Sequence, residues 1–352
     1  MRTARRALKK VEPYTVFNES RRHKIRLDLN ENAWGCSAQV LERLKNLSAE
    51  DVSLYPDCSG LVRKLAAFHG VSPDNLMLSN GADDSIRCVF DCLVEEGDEL
   101  LIPVPNYGMF DIFGRIRNAG VVNVCYNDDF SFPTERLLKQ LSGRSKLIVI
   151  VNPANPLATV IDERDLRRIL ETARDAFVLL DETYYHFINR SYIDWLSEFD
   201  NLIIVQTFSK AFGLTGLRLG ITFSNVETMS LLKKVNLPFA VNSLATLAAE
   251  AALDDTDFLY TVVANVKTET AFLKANLEKL GIEVRTGFTN FLMMNFGNSS
   301  QQVYQQLFDR GILLRNLKKY PLLAGYLRAS IGTRADNKKF LAALKEIVGN
   351  ND

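Results

Sequence analysis

Short apolar runs alternate with stretches of helical periodicity through the middle of the chain. Strands of a parallel sheet are buried on both faces and give nearly continuous apolar runs, whereas the helices that connect them give amphipathic stretches. The pattern therefore predicts a mostly parallel sheet covered by helices. Its strands are predicted at residues 100–104, 121–126, 147–151, 177–180, 202–207 and 219–223.

One connecting helix can be placed between the third and fourth of these strands. Apolar residues recur at helical spacing from Leu166 to Ala173. Asp162 precedes them, and aspartate is a preferred N-cap residue. We expect this helix to cross over from one strand to the next.

The two ends of the chain have a different pattern. From about Glu227 the sequence is mainly helical and then gives strand-like runs at 291–296 and 326–331. The N-terminal segment holds one strand candidate, 25–29, and we expect it to pack with the C-terminal part. Mixed elements of this kind predict a smaller α+β domain. The predicted parts are an N-terminal arm with part of the small domain at 1–45, a large domain at 46–235 and a small domain at 236–352.

The composition is that of a packed globular protein. Hydrophobic residues make up 47% and charged residues 24% of 352 residues, a length that suits two domains. Forty-two basic residues balance forty-two acidic ones, so the protein has no net positive charge that would attract nucleic acid or an anionic membrane. We expect small molecules and further copies of the chain as partners.

The lack of a recognisable targeting signal and the cysteine pattern predict a cytoplasmic protein. No apolar run approaches the roughly 18 to 20 residues that span a bilayer, and no signal-peptide pattern follows the start. The basic first ten residues are weakly similar to a transit peptide, but a solvated arm is the favoured interpretation. Five cysteines without paired spacing argue against a disulfide framework or a structural zinc site, and we expect no metal.

The segment most specific for function is 207–220, directly after a predicted strand. It places Lys210 among three glycines, with Thr207 and Ser209 before it and Arg218 after it. Hydroxyls and an arginine at a strand end form a site for a phosphate, and a lysine beside that phosphate can form an imine with a bound aldehyde. A solvated lysine in a glycine-rich loop is the alternative, which the whole run disfavours.

Two further segments offer groups at the same edge of the sheet. Ala82 and Asp83 follow a glycine at the start of a predicted helix, 84–94, where free N–H groups can hold a phosphate. Asp181 follows the strand at 177–180, at the carboxyl edge where α/β proteins bind ligands.

Taken in order, these segments resemble the fold type I aminotransferases that depend on pyridoxal 5′-phosphate (PLP), and within them the histidinol-phosphate aminotransferase group. Matching motifs run from Leu29 to Gly332. The resemblance implies a large domain with a mostly parallel central sheet, a smaller α+β domain, and PLP held as an imine on Lys210. It also implies that Asp181 keeps the pyridine nitrogen protonated, which makes the ring an electron sink. The remaining cofactor contacts implied are Ala82, Asp83, Thr207, Ser209 and Arg218 to the phosphate, Tyr107 to the ring face, and Asn155 and Tyr184 to O3′.

The resemblance also implies a partner and a substrate. Tyr55 matches the tyrosine that reaches the phosphate in the neighbouring subunit, which implies a homodimer with shared sites. Arg315 and Arg328 match the pair that binds the substrate phosphate, and arginine binds such anions bidentately. Asn32 and Trp34 lie in the stretch that matches the family's substrate gate.

Two positions depart from the family. A tyrosine is usual where Trp34 stands, and an indole ring cannot place a hydroxyl on a substrate phosphate. Thr-Gly is usual where this chain has Leu157 and Ala158. The amine substrate therefore stays open between histidinol phosphate and other anionic amines.

The reaction that these residues predict is ping-pong transamination. An amine donor displaces Lys210 from the cofactor, and the freed lysine amine carries a proton between the substrate Cα and the cofactor C4′. Hydrolysis then yields a keto product and pyridoxamine phosphate, and a 2-oxo acid reverses the path. A decarboxylase of an amino-acid phosphate, similar to threonine-phosphate decarboxylase, is the alternative on the same cofactor site. A non-catalytic sensor fused to a DNA-binding domain is a further alternative. Two observations disfavour it: the net charge is zero, and the expected fold takes up the chain, which leaves no room for an added DNA-binding segment.

Overall fold

The computed structural model describes residues 6–14 and 20–349, so the first half of the basic N-terminal segment lies outside the described residues. The strands, in chain order, are β1 Ile25–Arg26, β2 Leu76–Ser79, β3 Glu99–Val104, β4 Gly120–Cys125, β5 Ser145–Val151, β6 Phe177–Asp181, β7 Leu202–Thr207, β8 Gly220–Ser224, β9 Glu283–Arg285, β10 Phe291–Asn295, β11 Ile312–Leu313, β12 Arg315–Asn316 and β13 Tyr326–Ser330. The helices are α1 Ala38–Lys45, α2 Ala49–Ser53, α3 Ser59–His69, α4 Ala82–Leu93, α5 Met109–Ile116, α6 Thr134–Lys139, α7 Glu163–Thr172, α8 Val226–Val235, α9 Ser243–Asp254, α10 Thr256–Glu278, α11 Ser300–Asp309 and α12 Arg334–Gly349.

The largest sheet has seven strands in the order β2-β8-β7-β6-β5-β3-β4. The four pairs from β7 to β4 are parallel, whereas β8 runs antiparallel to β7 and β2. The α/β fold with a mostly parallel central sheet is confirmed, and the predicted strands of this sheet lie within two residues of the observed ones. The apolar pattern missed β2 as a strand, although all four of its residues are buried.

Both faces of this sheet are covered, which explains the continuous apolar runs. In β6, Val178 and Leu180 belong to the buried cluster on one face, and Leu179 belongs to the cluster on the other. The predicted crossover helix is α7, and Asp162 caps it by accepting a hydrogen bond from the backbone of Arg164. The carboxyl ends of β5, β6 and β7 consequently meet at one edge of the sheet.

A second sheet of four antiparallel strands has the order β12-β13-β10-β9 and surrounds a buried cluster of its own. β1 pairs in parallel with β11, so the N-terminal segment does pack with the C-terminal part. The predicted strand at 25–29 is too long, because pairing ends at Arg26 and the backbone turns at Asn30 with a φ of 55°. Asparagine tolerates this left-handed conformation. The chain divisions near residues 45 and 235 stay a prediction.

Within residues 6–14 and 20–349, no helix combines the length and the apolar character that crossing a membrane requires.

Candidate active site

A cavity of about 250 Å³ is lined by residues from both sheets. The structure brings most of the predicted site residues together here. Those that line the cavity are Ala82, Asp83, Tyr107, Asn155, Asp181, Tyr184, Thr207, Ser209, Lys210, Arg218, Arg315 and Arg328. Three predicted residues, Asn32, Trp34 and Tyr55, do not line it.

Lys210 follows β7 and points its amine into this cavity. Its Nζ donates a hydrogen bond of 3.0 Å to the carbonyl of Leu29. Burial lowers the pKa of Lys210 to about 8, and the nearby guanidinium of Arg328 acts in the same direction. An amine that loses its proton this close to neutral pH can act as a nucleophile and as a proton carrier.

The loop after Lys210 requires a glycine. Gly213 has a φ of 73°, and a Cβ built there would lie 1.9 Å from the carbonyl oxygen of Gly35. The segment that carries the lysine can therefore lie against the N-terminal segment only because residue 213 has no side chain.

Asp181 ends β6 and is 5% exposed. The backbone N–H of Thr183 donates to its Oδ1 at 2.9 Å. Burial raises the pKa of Asp181 to about 6, against the opposing effect of the hydrogen bonds from Thr183. The carboxylate is thus still ionised at neutral pH and can accept a hydrogen bond from a cationic ring nitrogen.

An anion seat lies between the start of α4 and the loop before β8. The first N–H groups of α4 have no partner within the helix, and its positive dipole end faces the same place. Arg218 Nη2 donates to Asp83 Oδ2 at 3.0 Å, and the hydroxyl of Tyr107 donates to Asp83 Oδ1 at 2.9 Å. Gly81 has a φ of 86°, a conformation that favours glycine, and a Cβ there would also lie 2.5 Å from Arg218 Nη2, where the guanidinium crosses the helix start. The carboxylate of Asp83, predicted only as a backbone donor, thus holds two side chains of the seat.

Two buried hydroxyls complete this seat. Thr207 Oγ1 and Ser209 Oγ lie 3.0 Å apart, and the Ser209 backbone donates to Thr207 Oγ1 at 3.1 Å. The side chain of Thr215, which also lines the cavity, fixes the loop by donating to the Ser209 carbonyl at 2.6 Å. Sequence reasoning missed Thr215, although it stands within the segment 207–220.

The two predicted substrate arginines lie directly opposite each other. Arg315 of β12 pairs with Arg328 of β13, so both side chains project from the same face of the small sheet. Arg328 is 7% exposed; it donates to Asn155 Oδ1 at 2.5 Å and to the Asp28 carbonyl at 2.7 Å, and no described residue is a partner of its Nε. Burial lowers the pKa of Arg328, and no ion pair of the described residues includes it. A buried guanidinium without a carboxylate is a site for an anionic ligand.

The substrate-gate stretch contributes a different residue from those predicted. Asn32 donates to the backbone carbonyl of Ala211 at 2.9 Å, and Trp34 packs against the buried cluster of the small sheet. Asn30, two positions earlier, lines the cavity together with Tyr320. The sequence held no signal that separates Asn30 from Asn32, because the distinction depends on the backbone turn at Asn30.

Tyr55 lies on the surface of the chain. Its side chain is 80% exposed, and its ring stacks on Phe239 with the centroids 4.3 Å apart. A contact of Tyr55 with a neighbouring subunit stays a prediction.

Comparison with known proteins places the chain in a family. The model of the family described as aminotransferase class I and II matches residues 22–344. A histidinol-phosphate aminotransferase of Caldanaerobacter subterraneus subsp. tengcongensis is 33% identical over 349 residues, 98% of each chain. One of Chlorobaculum tepidum is 32% identical and covers 97% of this chain and 99% of its own. The crystal structure of histidinol-phosphate aminotransferase from Sinorhizobium meliloti, in complex with pyridoxal 5′-phosphate, superimposes with a TM-score of 0.90 at 25% identity, covering 99% of this chain and 98% of that one. The chain belongs to the aminotransferase class I and II family.

Proposed function

We propose that the chain is a PLP-dependent aminotransferase that exchanges an amino group between histidinol phosphate, or an amine of the same anionic type, and a 2-oxo acid. The observation that carries the proposal is one cavity that contains a buried lysine amine, a strand-end aspartate, an anion seat and a pair of opposed arginines. The names of the similar proteins supply the substrate and the cofactor.

The residues of the cavity fit PLP. Arg218, the start of α4 and two buried hydroxyls suit its phosphate, and the absence of a side chain at Gly81 leaves room for that arrangement. Asp181 suits the ring nitrogen, and Lys210 suits the aldehyde carbon. Tyr107 would cover the ring, whereas Asn155 and Tyr184 would bind O3′. When bound, PLP supplies an aldehyde that takes up the amino group and a ring that withdraws electrons from the substrate Cα.

Lys210 would do the proton chemistry. Because burial brings its pKa to about 8, the free amine can take a proton from the substrate Cα and return it at C4′ of the cofactor. Asp181 would hold the ring nitrogen in its protonated form. Arg328 and Arg315 would bind the anionic end of the substrate and hold its Cα within reach of Lys210.

Three further assignments accompany this proposal. We infer a cytoplasmic homodimer in which Tyr55 reaches the cofactor phosphate of the partner subunit, supported by the exposure of Tyr55 beside Phe239. The large domain would comprise residues 46–235, with the small domain built from 1–45 and 236–352. Asn32 and Trp34 would reach the substrate only through a movement of their segment.

A single-turnover experiment tests the reaction. The PLP-loaded protein is mixed with histidinol phosphate, and pyridoxamine phosphate is quantified; histidinol, which lacks the phosphate, is the matched control. We expect stoichiometric pyridoxamine phosphate with the phosphorylated amine and little with histidinol. Release of carbon dioxide from an amino-acid phosphate with PLP regenerated would instead favour the decarboxylase. Failure of histidinol phosphate, phosphoserine, aromatic amino acids and glutamate alike would contradict the proposal.

A further inference from the structure

Asn30 is a buried residue with a left-handed backbone beside Lys210. It is 2% exposed, has a φ of 55°, lines the cavity and follows Leu29, whose carbonyl accepts the lysine hydrogen bond. A positive φ is uncommon outside glycine, and asparagine is among the residues that tolerate it best. Here the turn places the side chain of Asn30 at the wall of the cavity.

Each polar group of Asn30 has a partner. Its N–H donates to Ser330 Oγ at 2.8 Å, and its carbonyl accepts from Asn290 Nδ2 at 3.0 Å. In the side chain, Oδ1 accepts from Ser330 Oγ at 3.2 Å, and Nδ2 donates to Tyr184 Oη at 2.8 Å. Because Ser330 Oγ already accepts the backbone N–H, its own proton is available for Oδ1, and Nδ2 is left for Tyr184.

This contact determines where the hydroxyl proton of Tyr184 can point. A phenol has one proton to donate, and an oxygen that accepts from Asn30 directs that proton elsewhere. Tyr184 is 2% exposed, so bulk water does not compete for it. Burial raises the pKa of Tyr184 to about 12, which keeps the phenol neutral and able to donate at working pH. The open direction is the cavity, which Tyr184 itself lines.

We propose that Asn30 is a positioning residue: it holds the Tyr184 hydroxyl proton toward the phenolic oxygen of the bound cofactor and so sets how readily the imine nitrogen on Lys210 keeps its proton. The inference rests on the proposed function, since it requires PLP in the cavity. A donor at the phenolic oxygen stabilises the negative charge left there when the imine proton departs. Asn30 therefore favours the unprotonated imine without touching the cofactor.

Two substitutions keep the backbone turn while changing the contact. Asn30→Gly removes the amide and suits a positive φ. Asn30→Asp keeps the shape, but its carboxylate accepts the Tyr184 proton and turns it away from the cavity. The readout is the pH midpoint of the visible absorbance of the PLP-loaded protein. We expect this midpoint to rise by about half a pH unit in Asn30→Gly and by about one unit in Asn30→Asp.

The Tyr184→Phe background separates positioning from a general effect. If Asn30 acts through Tyr184, Tyr184→Phe raises the midpoint by itself, and adding Asn30→Gly produces no further rise. Asn30→Asp also adds a negative charge that favours the protonated imine directly, so in the Tyr184→Phe background it should raise the midpoint by less than it does when Tyr184 is present. Asn118→Asp is the matched control, because Asn118 is exposed and has a similar φ of 61°; it should leave the midpoint unchanged. Thermal melting shows which variants fold, and if Asn30→Gly does not, Asn30→Asp in both backgrounds decides.

Each outcome bears on a different claim. An absent shift, or a shift of equal size in the Tyr184→Phe background, overturns the role of Asn30 while the wild type still binds PLP and titrates. A wild-type protein that takes up no PLP overturns the proposed function and this inference with it.

Discussion

The cavity has two sides whose charges are balanced in different ways. On the sheet-edge side, formed by Asp181, Thr207, Lys210 and Arg218, the half-buried arginine has a carboxylate partner in Asp83. On the arginine side, formed by Arg315 and Arg328, the buried guanidinium of Arg328 has only neutral acceptors.

This difference matches the proposed occupants. A resident cofactor can be held by a prearranged set of hydroxyls, helix N–H groups and one arginine whose orientation an aspartate fixes. A substrate that enters and leaves must supply the missing negative charge itself, and the desolvated arginine then binds it strongly and selectively. The sheet-edge side should therefore control the chemistry and cofactor affinity, and the arginine side should control the choice of substrate.

The largest effect should come from the sheet-edge side. Lys210→Ala removes the group that carries the proton, and we expect the rate of pyridoxamine phosphate formation to fall at least about 10³-fold. The measurement is a single turnover with histidinol phosphate, and Lys345→Ala, an exposed lysine of α12, is the control. A Lys210→Ala rate above a tenth of the wild-type rate would contradict the assignment.

The arginine side should respond differently. Arg328→Gln should lower kcat/KM for the phosphorylated amine about 100-fold and Arg315→Gln about 10-fold, because charged hydrogen bonds count for more when buried. Arg315 is half-buried and donates to the hydroxyl of Tyr14 at 3.2 Å. The dissociation constant for PLP should be unchanged in both variants and should rise in Arg218→Gln. Equal losses of PLP affinity in all three would remove the distinction between the two sides.

Packing near the cavity offers a test that involves no charge. A Cβ at Gly287 would lie 2.0 Å from the carbonyl oxygen of Ala158, in the loop that follows Asn155. Gly287→Ala should therefore lower the free energy of unfolding by about 2–4 kcal/mol. Gly143→Ala, where nothing lies within 4 Å, is the control for denaturant unfolding. Equal stability of the two variants would show that the loop shifts freely.

Acid should lower the free energy of unfolding through a histidine next to the sheet-edge side. The ring nitrogens of His186 are buried behind it, the ring centroid lies 5.1 Å from that of Phe212, and neither nitrogen has a partner among the described residues. Burial lowers the pKa of His186 to about 3 from an ordinary value near 6.5, so between these values only the unfolded chain binds the proton. The stability that neutral, buried His186 contributes is fully present above pH 6.5 and is lost as the pH falls toward 3. From pH 7 to 5, wild type should lose about 2 kcal/mol more than His186→Phe.

Denaturant unfolding at both pH values measures this difference, and His23→Gln, at an exposed histidine, should behave as wild type. An identical pH dependence of wild type and His186→Phe would show that His186 does not carry the effect.

The sheet-edge side could be predicted because its residues are close in sequence. Thr207, Ser209, Lys210 and Arg218 belong to one segment, and Asp181 ends a strand whose apolar run identifies it. Parallel strands bring their carboxyl ends together, so local patterns placed these residues at one edge of the sheet, and the resemblance supplied their roles. The partner of Arg218 was missed, because the contact with Asp83 joins residues 135 positions apart.

For the arginine side, the individual residues could be predicted, but their arrangement could not. The resemblance identified Arg315 and Arg328, but their direct opposition depends on the register between β13, which the apolar pattern predicted, and the two-residue strand β12, which it did not. Asn30 was missed for a related reason. Its role depends on a left-handed turn that ends the extended segment early, and Asn32 has the same side chain and stands two positions away.

The most direct test of the account is the visible spectrum of the PLP-loaded protein during one turnover with histidinol phosphate. We expect a yellow protein that loses its colour as one equivalent of pyridoxamine phosphate forms, with Lys210→Ala unable to carry out this conversion. A wild-type protein that stays colourless with PLP, or that keeps its colour with every anionic amine, would contradict it.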